Sequence, residues 1–222
     1  MKKLKAALAV FAVSAFAGCS HIDFDGYAEV KRGITAFSEL EAGHITVTDM
    51  ESGTVVNDMV FKVDDRDYLL YNLTTTLDGK TYFEYHNGRE LFYTGENGEW
   101  KLKTVDEGYA GYTRKSRPRL ASEQLFYLNE GAIASSELSG GDGITVVKFN
   151  YDVIKINAEA SDEASAFISL VTEYTLDENG EIISHRQTAE LEDSDGEYGY
   201  DYLAEIEPLS ADEVVIESPL PQ

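Results

Sequence analysis

Lys80-Thr81-Tyr82-Phe83-Glu84-Tyr85-His86-Asn87-Gly88-Arg89-Glu90-Leu91-Phe92-Tyr93-Thr94 is the stretch that decides the fold. Two runs rich in aromatic and β-branched residues flank Asn87-Gly88. Such residues suit a pleated, half-buried surface. Asn-Gly supplies the positive φ angles of a tight hairpin turn. The same grammar repeats on both sides, with Asp78-Gly79 before it and Asn97-Gly98 after it. Working outward, strands are predicted at His44–Thr48, Val56–Val63, Tyr68–Thr76, Thr81–His86, Arg89–Thr94 and Glu99–Thr104. This is a meander of five or six antiparallel strands.

Upstream the period changes from 2 to about 3.6. Tyr27, Val30, Ile34, Phe37 and Leu40 lie on one face of a helix predicted over 26–42, with Asp25 as cap and Gly43 as stop. Downstream, Tyr109 to Arg119 breaks the strand pattern. It holds Arg114, Lys115, Arg117 and Arg119 around Pro118. Leu120 to Ala134 reads as a second helix ending near Gly131. Ser139 to Gly143 reads as a turn, and Ile144 to Ile156 as one strand, or two with a bend near Tyr151. Ala158 to Ala164 reads as a loop or one helical turn. Phe167–Leu176 and Glu181–Leu191 form a long hairpin around Asp177-Glu178-Asn179-Gly180. Glu192 to Gly196 turns into a last strand, Tyr198–Ile206, and the tail through Gln222 reads as irregular.

The start of the chain has a different character. Lys2, Lys3 and Lys5 precede an apolar run from Ala6 to Ala17, followed by Gly18-Cys19-Ser20. A basic start, an apolar stretch and small residues before a cut site describe a secretory signal. Crossing a bilayer takes about 20 apolar residues, and this run is too short. Phe16-Ala17-Gly18-Cys19 resembles the bacterial lipoprotein cleavage site, with Phe16 in place of the usual aliphatic residue. The resemblance implies cleavage between Gly18 and Cys19 and a diacylglycerol on the sulfur of Cys19. Two acyl chains hold a protein stably on a bilayer. The expected organisation is a removed signal over 1–18, a lipidated tether over 19–25 and a single domain over 26–222. The expected place is the extracytoplasmic face of the cell membrane, or an outer membrane in a cell that has one.

Composition narrows the partners. The net charge is −23, with 41 acids against 18 lysines and arginines. Nucleic acid is excluded as a partner, because its phosphates demand cations. Cys19 is the only cysteine, so the fold has no disulfide. The four histidines, His21, His44, His86 and His185, show no metal-ligand spacing, and no metal or cofactor is expected. His44, His86 and His185 read as side chains on strand surfaces. Neither the Gly-x-Ser-x-Gly elbow nor Ser-x-x-Lys with its partners occurs, so the chain is not read as an enzyme. Asp177–Gly180 and Asp193–Gly196 suggest calcium loops. Aligned on their glycines, however, they put Arg186 and Tyr202 where the closing Glu belongs. Trp100, the only tryptophan, reads as packing at a sheet edge.

Three stretches carry a family resemblance: Lys80–His86 with Leu91–Tyr93 and Glu99–Leu102, Glu173–Ile182, and Ile216–Pro219. Their order resembles the lipoprotein-carrier superfamily of LolA and LolB, with the mycobacterial lipoproteins LppX and LprG. It looks closest to uncharacterised surface lipoproteins of Gram-positive bacteria. The resemblance implies an α+β fold, a single strongly curved antiparallel sheet forming a half barrel, with helices over its concave face. It also implies a cavity that binds or transfers a lipid or other amphiphile. Arg114, Lys115, Arg117 and Arg119 would then be candidates to meet an anionic headgroup. The alternative is a surface protein-interaction module with a filled core, whose partner is another envelope protein.

Overall fold

The computed structural model describes residues 24–95, 97–103, 126–159 and 165–220. The first meander comprises β1 (Ala42–Asp49), β2 (Thr54–Val63), β3 (Leu69–Leu77), β4 (Lys80–Asn87), β5 (Leu91–Thr94) and β6 (Trp100–Leu102). The second comprises β7 (Ile133–Gly141), β8 (Ile144–Tyr151), β9 (Ser165–Leu176), β10 (Ile182–Asp193) and β11 (Gly196–Pro208). Every pairing is antiparallel, and β11 lies against β1. The two meanders thus fuse into one unclosed sheet in the order β6-β5-β4-β3-β2-β1-β11-β10-β9-β8-β7. The fold is the α+β half barrel that the resemblance implies.

Local chemistry sets the register. Asp78-Gly79 (φ 51° and 72°) and Asp142-Gly143 (φ 53° and 82°) form two-residue hairpin turns. They fix Leu77 opposite Lys80 and Gly141 opposite Ile144. Because side chains alternate at period 2, one face then collects the core. A single cross-strand row runs Thr75, Asn57, Val47, Ala204, His185, Tyr174, Val147, through seven strands. Bulges after Val47, Ile182 and Glu190 interrupt the regular pairing, and such irregularities bend and twist strands.

Helix α1 (Tyr27–Glu39) packs its buried Val30, Gly33 and Phe37 on the concave side. It is shorter than the predicted 26–42. Gly26, at φ 79°, takes the cap position with no side-chain cap, so Asp25 does not serve. The helix ends before Gly43, because Ala42 is already paired with Lys62 in β1. Gly26 and Gly33 allow the helix close to the sheet: a Cβ would sit 2.6 Å from Val147 at the first and 2.7 Å from Ile182 at the second.

Three expectations need correction. Of the predicted helix over Leu120–Ala134, the part before 126 lies outside the described residues. The rest is an irregular run, a 3-10 turn at Glu130–Ala132 and the start of β7. Asn129, in extended conformation, accepts from the Gly131 amide and starts that turn. The strand predicted to reach Ile156 stops at Tyr151. Helix α2 (Val153–Glu159) follows and buries Ile156. There Asp152 accepts the Ile154 amide on Oδ1 and the Ile156 amide on its carbonyl, turning the chain into a helix. The turn predicted over Ser139–Gly143 is only Asp142-Gly143, since β7 carries Ser139–Gly141.

The tail after β11 is irregular, and it crosses the convex side. Leu209 donates to the Ala42 carbonyl. Lys62 Nζ reaches the Val214 carbonyl at 2.8 Å, and Asn72 Nδ2 the Glu217 carbonyl at 3.3 Å.

Candidate functional site: the concave face

The concave face has two parts. Under α1 it is filled by rings. Phe37 packs edge-on against Phe61 and Phe126, with centroids 6.4 and 5.1 Å apart. Tyr27 packs edge-on against Phe149 at 6.4 Å. Phe126 also meets His185 at 5.5 Å and Tyr174 at 6.2 Å. At the end of this plug, Ala36, Phe37, Leu40, Glu181, Ile182 and Pro208 line a void of about 10 Å³. That is at most the space of one water.

Two buried hydroxyls hold the plug's incoming segment. Tyr174 donates to the Tyr127 carbonyl at 2.7 Å and Tyr151 donates to the same oxygen at 3.0 Å. Burial keeps both phenols above their usual pKa, hence protonated donors. With both lone pairs of the Tyr127 carbonyl taken by phenols, that oxygen is not free to accept an i+4 amide, in keeping with the irregular run at Phe126–Asn129.

Beyond the plug the face becomes tyrosine-lined. Tyr198, Tyr200 and Tyr202 alternate along β11 and are half-buried. Tyr200 and Tyr202 stack with centroids 5.3 Å apart. Gln187 on β10 donates to the Tyr200 hydroxyl at 2.6 Å, and Tyr198 donates to Ser165 at 2.9 Å. Burial raises Tyr200 to about 12, and raises Tyr202 with help from Asp49 and Glu51. Across the sheet, Thr75 donates to Asn57 Oδ1 at 2.9 Å. This floor is amphipathic: broad ring faces carry neutral hydrogen-bonding tips.

The first meander adds a titratable group to the same face. Glu84 accepts from the Tyr71 hydroxyl at 3.3 Å. Burial raises its pKa, against the opposing pull of Lys103 and Tyr71. His86 stacks on Tyr71 at 5.4 Å and contacts the Leu69 carbonyl through Nδ1.

The site residues proposed from sequence, Gly18, Cys19, Arg114, Lys115, Arg117 and Arg119, lie outside the described residues. Of the histidines read as strand-surface groups, His44 fits, meeting Asp58 at 2.9 Å. His86 and His185 do not, since their register turns them inward and buries them. Among the described residues, no group of three or more His, Cys, Asp or Glu stands ready to hold a metal ion. No helix there is long and apolar enough to cross a membrane. The Tyr198-x-Tyr200-x-Tyr202 spacing was the available signal for the tyrosine floor, because a period of 2 puts all three rings on one face.

No protein-family model matches the chain, and no curated protein matches it. Among solved structures it is similar to the crystal structure of LprF from Mycobacterium bovis. The two share 11% identity and a TM-score of 0.48, over 89% of this chain and 98% of the other.

Proposed function

We propose that this chain is a lipid-anchored extracytoplasmic protein that binds an amphiphile on the open part of its concave face. The observation that carries the reading is the tyrosine floor, Tyr198, Tyr200 and Tyr202 with Gln187, half-buried on an unclosed sheet. Rings of this kind take apolar chains against their faces and polar atoms at their tips. The Gly18-Cys19 cleavage site supports anchoring, with diacylglyceryl-Cys19 as the membrane attachment. Arg114, Lys115, Arg117 and Arg119 are the headgroup candidates if the ligand is anionic. In this reading the protein binds or transfers its ligand and breaks no bond.

The test is native mass spectrometry of the full chain expressed in a bacterial host and extracted from its membranes. A bound mass that resolves as lipid on denaturation is the expected result. A clean unliganded mass that does not change on adding lipid would overturn it. That outcome would favour an interaction module whose partner is an envelope protein.

A further inference from the structure

Polar side chains buried in a core are normally each matched to a partner. Beneath Phe126–Leu128 the matching is uneven. The Tyr174 and Tyr151 hydroxyls both donate to one oxygen, the Tyr127 carbonyl. Thr172, fully buried, stands 3.2 Å from the Tyr151 hydroxyl. His185 pairs across the strands with Tyr174, and the two rings are 4.5 Å apart. Its Nε2 is buried with no hydrogen-bond partner. An orphan of this kind costs stability and marks a group that the resting fold leaves unmatched. Polar groups from β8, β9 and β10 thus gather under a single peptide oxygen, and one of them has nothing to bind.

What covers them is not part of the sheet. Phe126–Asn129 belongs to neither helix nor strand, so moving it breaks no ladder. Its end is pinned, because Asn129 donates to Glu159 at 2.9 Å and accepts from the Gly131 amide at 3.1 Å. Phe126 sets its ring against His185 and Tyr174. The ground beneath it continues the tyrosine floor. Thr172, Gln187 and Tyr202 share one cross-strand row, and Tyr174, His185 and Ala204 share the next.

We infer that Tyr151, Tyr174 and His185 form a carbonyl-binding subsite, which Phe126–Leu128 fills until an ester-linked acyl chain displaces it. This rests on the amphiphile-binding reading above and names the class of ligand. The Tyr127 carbonyl stands in for the ester carbonyl: each is a neutral oxygen with two lone pairs, and two neutral phenols serve either. The acyl chain replaces the Phe126 ring. The exchange loses no net hydrogen bond, since the peptide carbonyl returns to water as the ester carbonyl leaves it. His185 Nε2 gains the partner it lacks from a hydroxyl of the ligand, which suits either ring tautomer. A lipid without carbonyls would leave both phenols unpaired in the core, and a site built around such donors rejects it.

The full chain, extracted from a bacterial host in detergent, is titrated by native mass spectrometry with two probes. One is dipalmitoyl phosphatidylglycerol, and the other is its dihexadecyl ether analogue, which lacks the ester carbonyls. Hydrogen exchange is followed at the Phe126–Leu128 amides. The ester form should bind about tenfold to a hundredfold more tightly, and exchange at Phe126–Leu128 should rise when it is bound. Tyr151→Phe with Tyr174→Phe should bring the ratio close to equality. Equal binding of the two lipids to wild type overturns the subsite and leaves the amphiphile reading standing. Binding of neither overturns both. An ester preference with unchanged exchange, or one that survives in the folded double variant, reads the carbonyl elsewhere and overturns the subsite. If the double variant fails to fold, the wild-type ratio and exchange decide, and Tyr174→Phe alone should already narrow the ratio.

Discussion

The Tyr174 hydroxyl donates to the Tyr127 carbonyl at 2.7 Å, tying the middle of β9 to the segment that leads into β7. Tyr151 reaches the same oxygen from β8. A carbonyl with two lone pairs can accept both, so either phenol alone still satisfies it. We expect Tyr174→Phe or Tyr151→Phe to cost about 1 kcal/mol each. The double variant should cost more than the sum, because it leaves a buried carbonyl orphaned. Urea unfolding of the four proteins gives the cycle. Strict additivity would show that the Tyr127 carbonyl finds another donor.

Close approach of α1 gives a second expectation. A Cβ on Gly33 would stand 2.7 Å from Ile182 Cγ1 and 3.2 Å from the Gly180 carbonyl. Gly33→Ala is helix-friendly in isolation, yet here it pushes α1 off the sheet and should destabilise by about 1–3 kcal/mol. Truncating the obstacle should recover part of that. Gly33→Ala with Ile182→Ala should be less destabilised than the two single changes added together. Thermal melts of the set check it, and a stabilised Gly33→Ala would mean that α1 does not pack this closely.

His185 sets an acid limit. It is 2% exposed, its Nε2 has no hydrogen-bond partner, and burial lowers its pKa from 6.5 to about 3. The folded state therefore holds the neutral ring while the unfolded chain takes up a proton below pH 6.5. Stability should fall as pH drops through that window, at about 1.4 kcal/mol per pH unit from this group. His86, also lowered by burial, acts in the same direction. Asp177, held low by the Glu181 amide, and Asp201, held low by Arg186, contribute only below their ordinary value of 3.8. His185→Leu should flatten the slope between pH 6 and 4, since it removes the titration and the orphan nitrogen together. An unchanged slope in denaturant midpoints would place the pH dependence elsewhere.

The sheet was legible because its signals are local. Asp78-Gly79 and Asp142-Gly143 need no tertiary context to turn the chain, and Tyr198 to Ile206 alternates at the period of a strand. The errors share a cause in long-range contacts. Leu120–Ala134 has apolar spacing compatible with a helix, but Tyr127 is claimed by phenols 24 and 47 residues away. Ile144–Ile156 is the exception. It keeps apolar residues at close intervals on both sides of Asp152, and Asp152, which accepts the Ile154 amide, was the local mark of the change to helix at Val153. Composition likewise gave no face to His86 or His185, because one residue of register decides whether a histidine meets water or the core. Pairing β11 with β1 is also absent from local sequence, and it is what turns two meanders into one concave floor.

That floor yields the last expectation. Tyr200 presents its ring between Gln187, which holds its hydroxyl, and Tyr202, which stacks on it. If the amphiphile rests there, Tyr200→Ala removes a large apolar contact and should weaken binding roughly tenfold to a hundredfold. Tyr200→Phe keeps the ring and loses only the bond from Gln187. It should retain most of the affinity for the apolar part of a ligand and lose selectivity for its polar part. Phe83→Ser on the opposite face should leave ligand affinity alone. Lipid titration by native mass spectrometry, beside a melting curve for each variant, separates these outcomes. Equal affinity for wild type and Tyr200→Ala, with both folded, would move the ligand off β11 and toward the Glu84 side of the face.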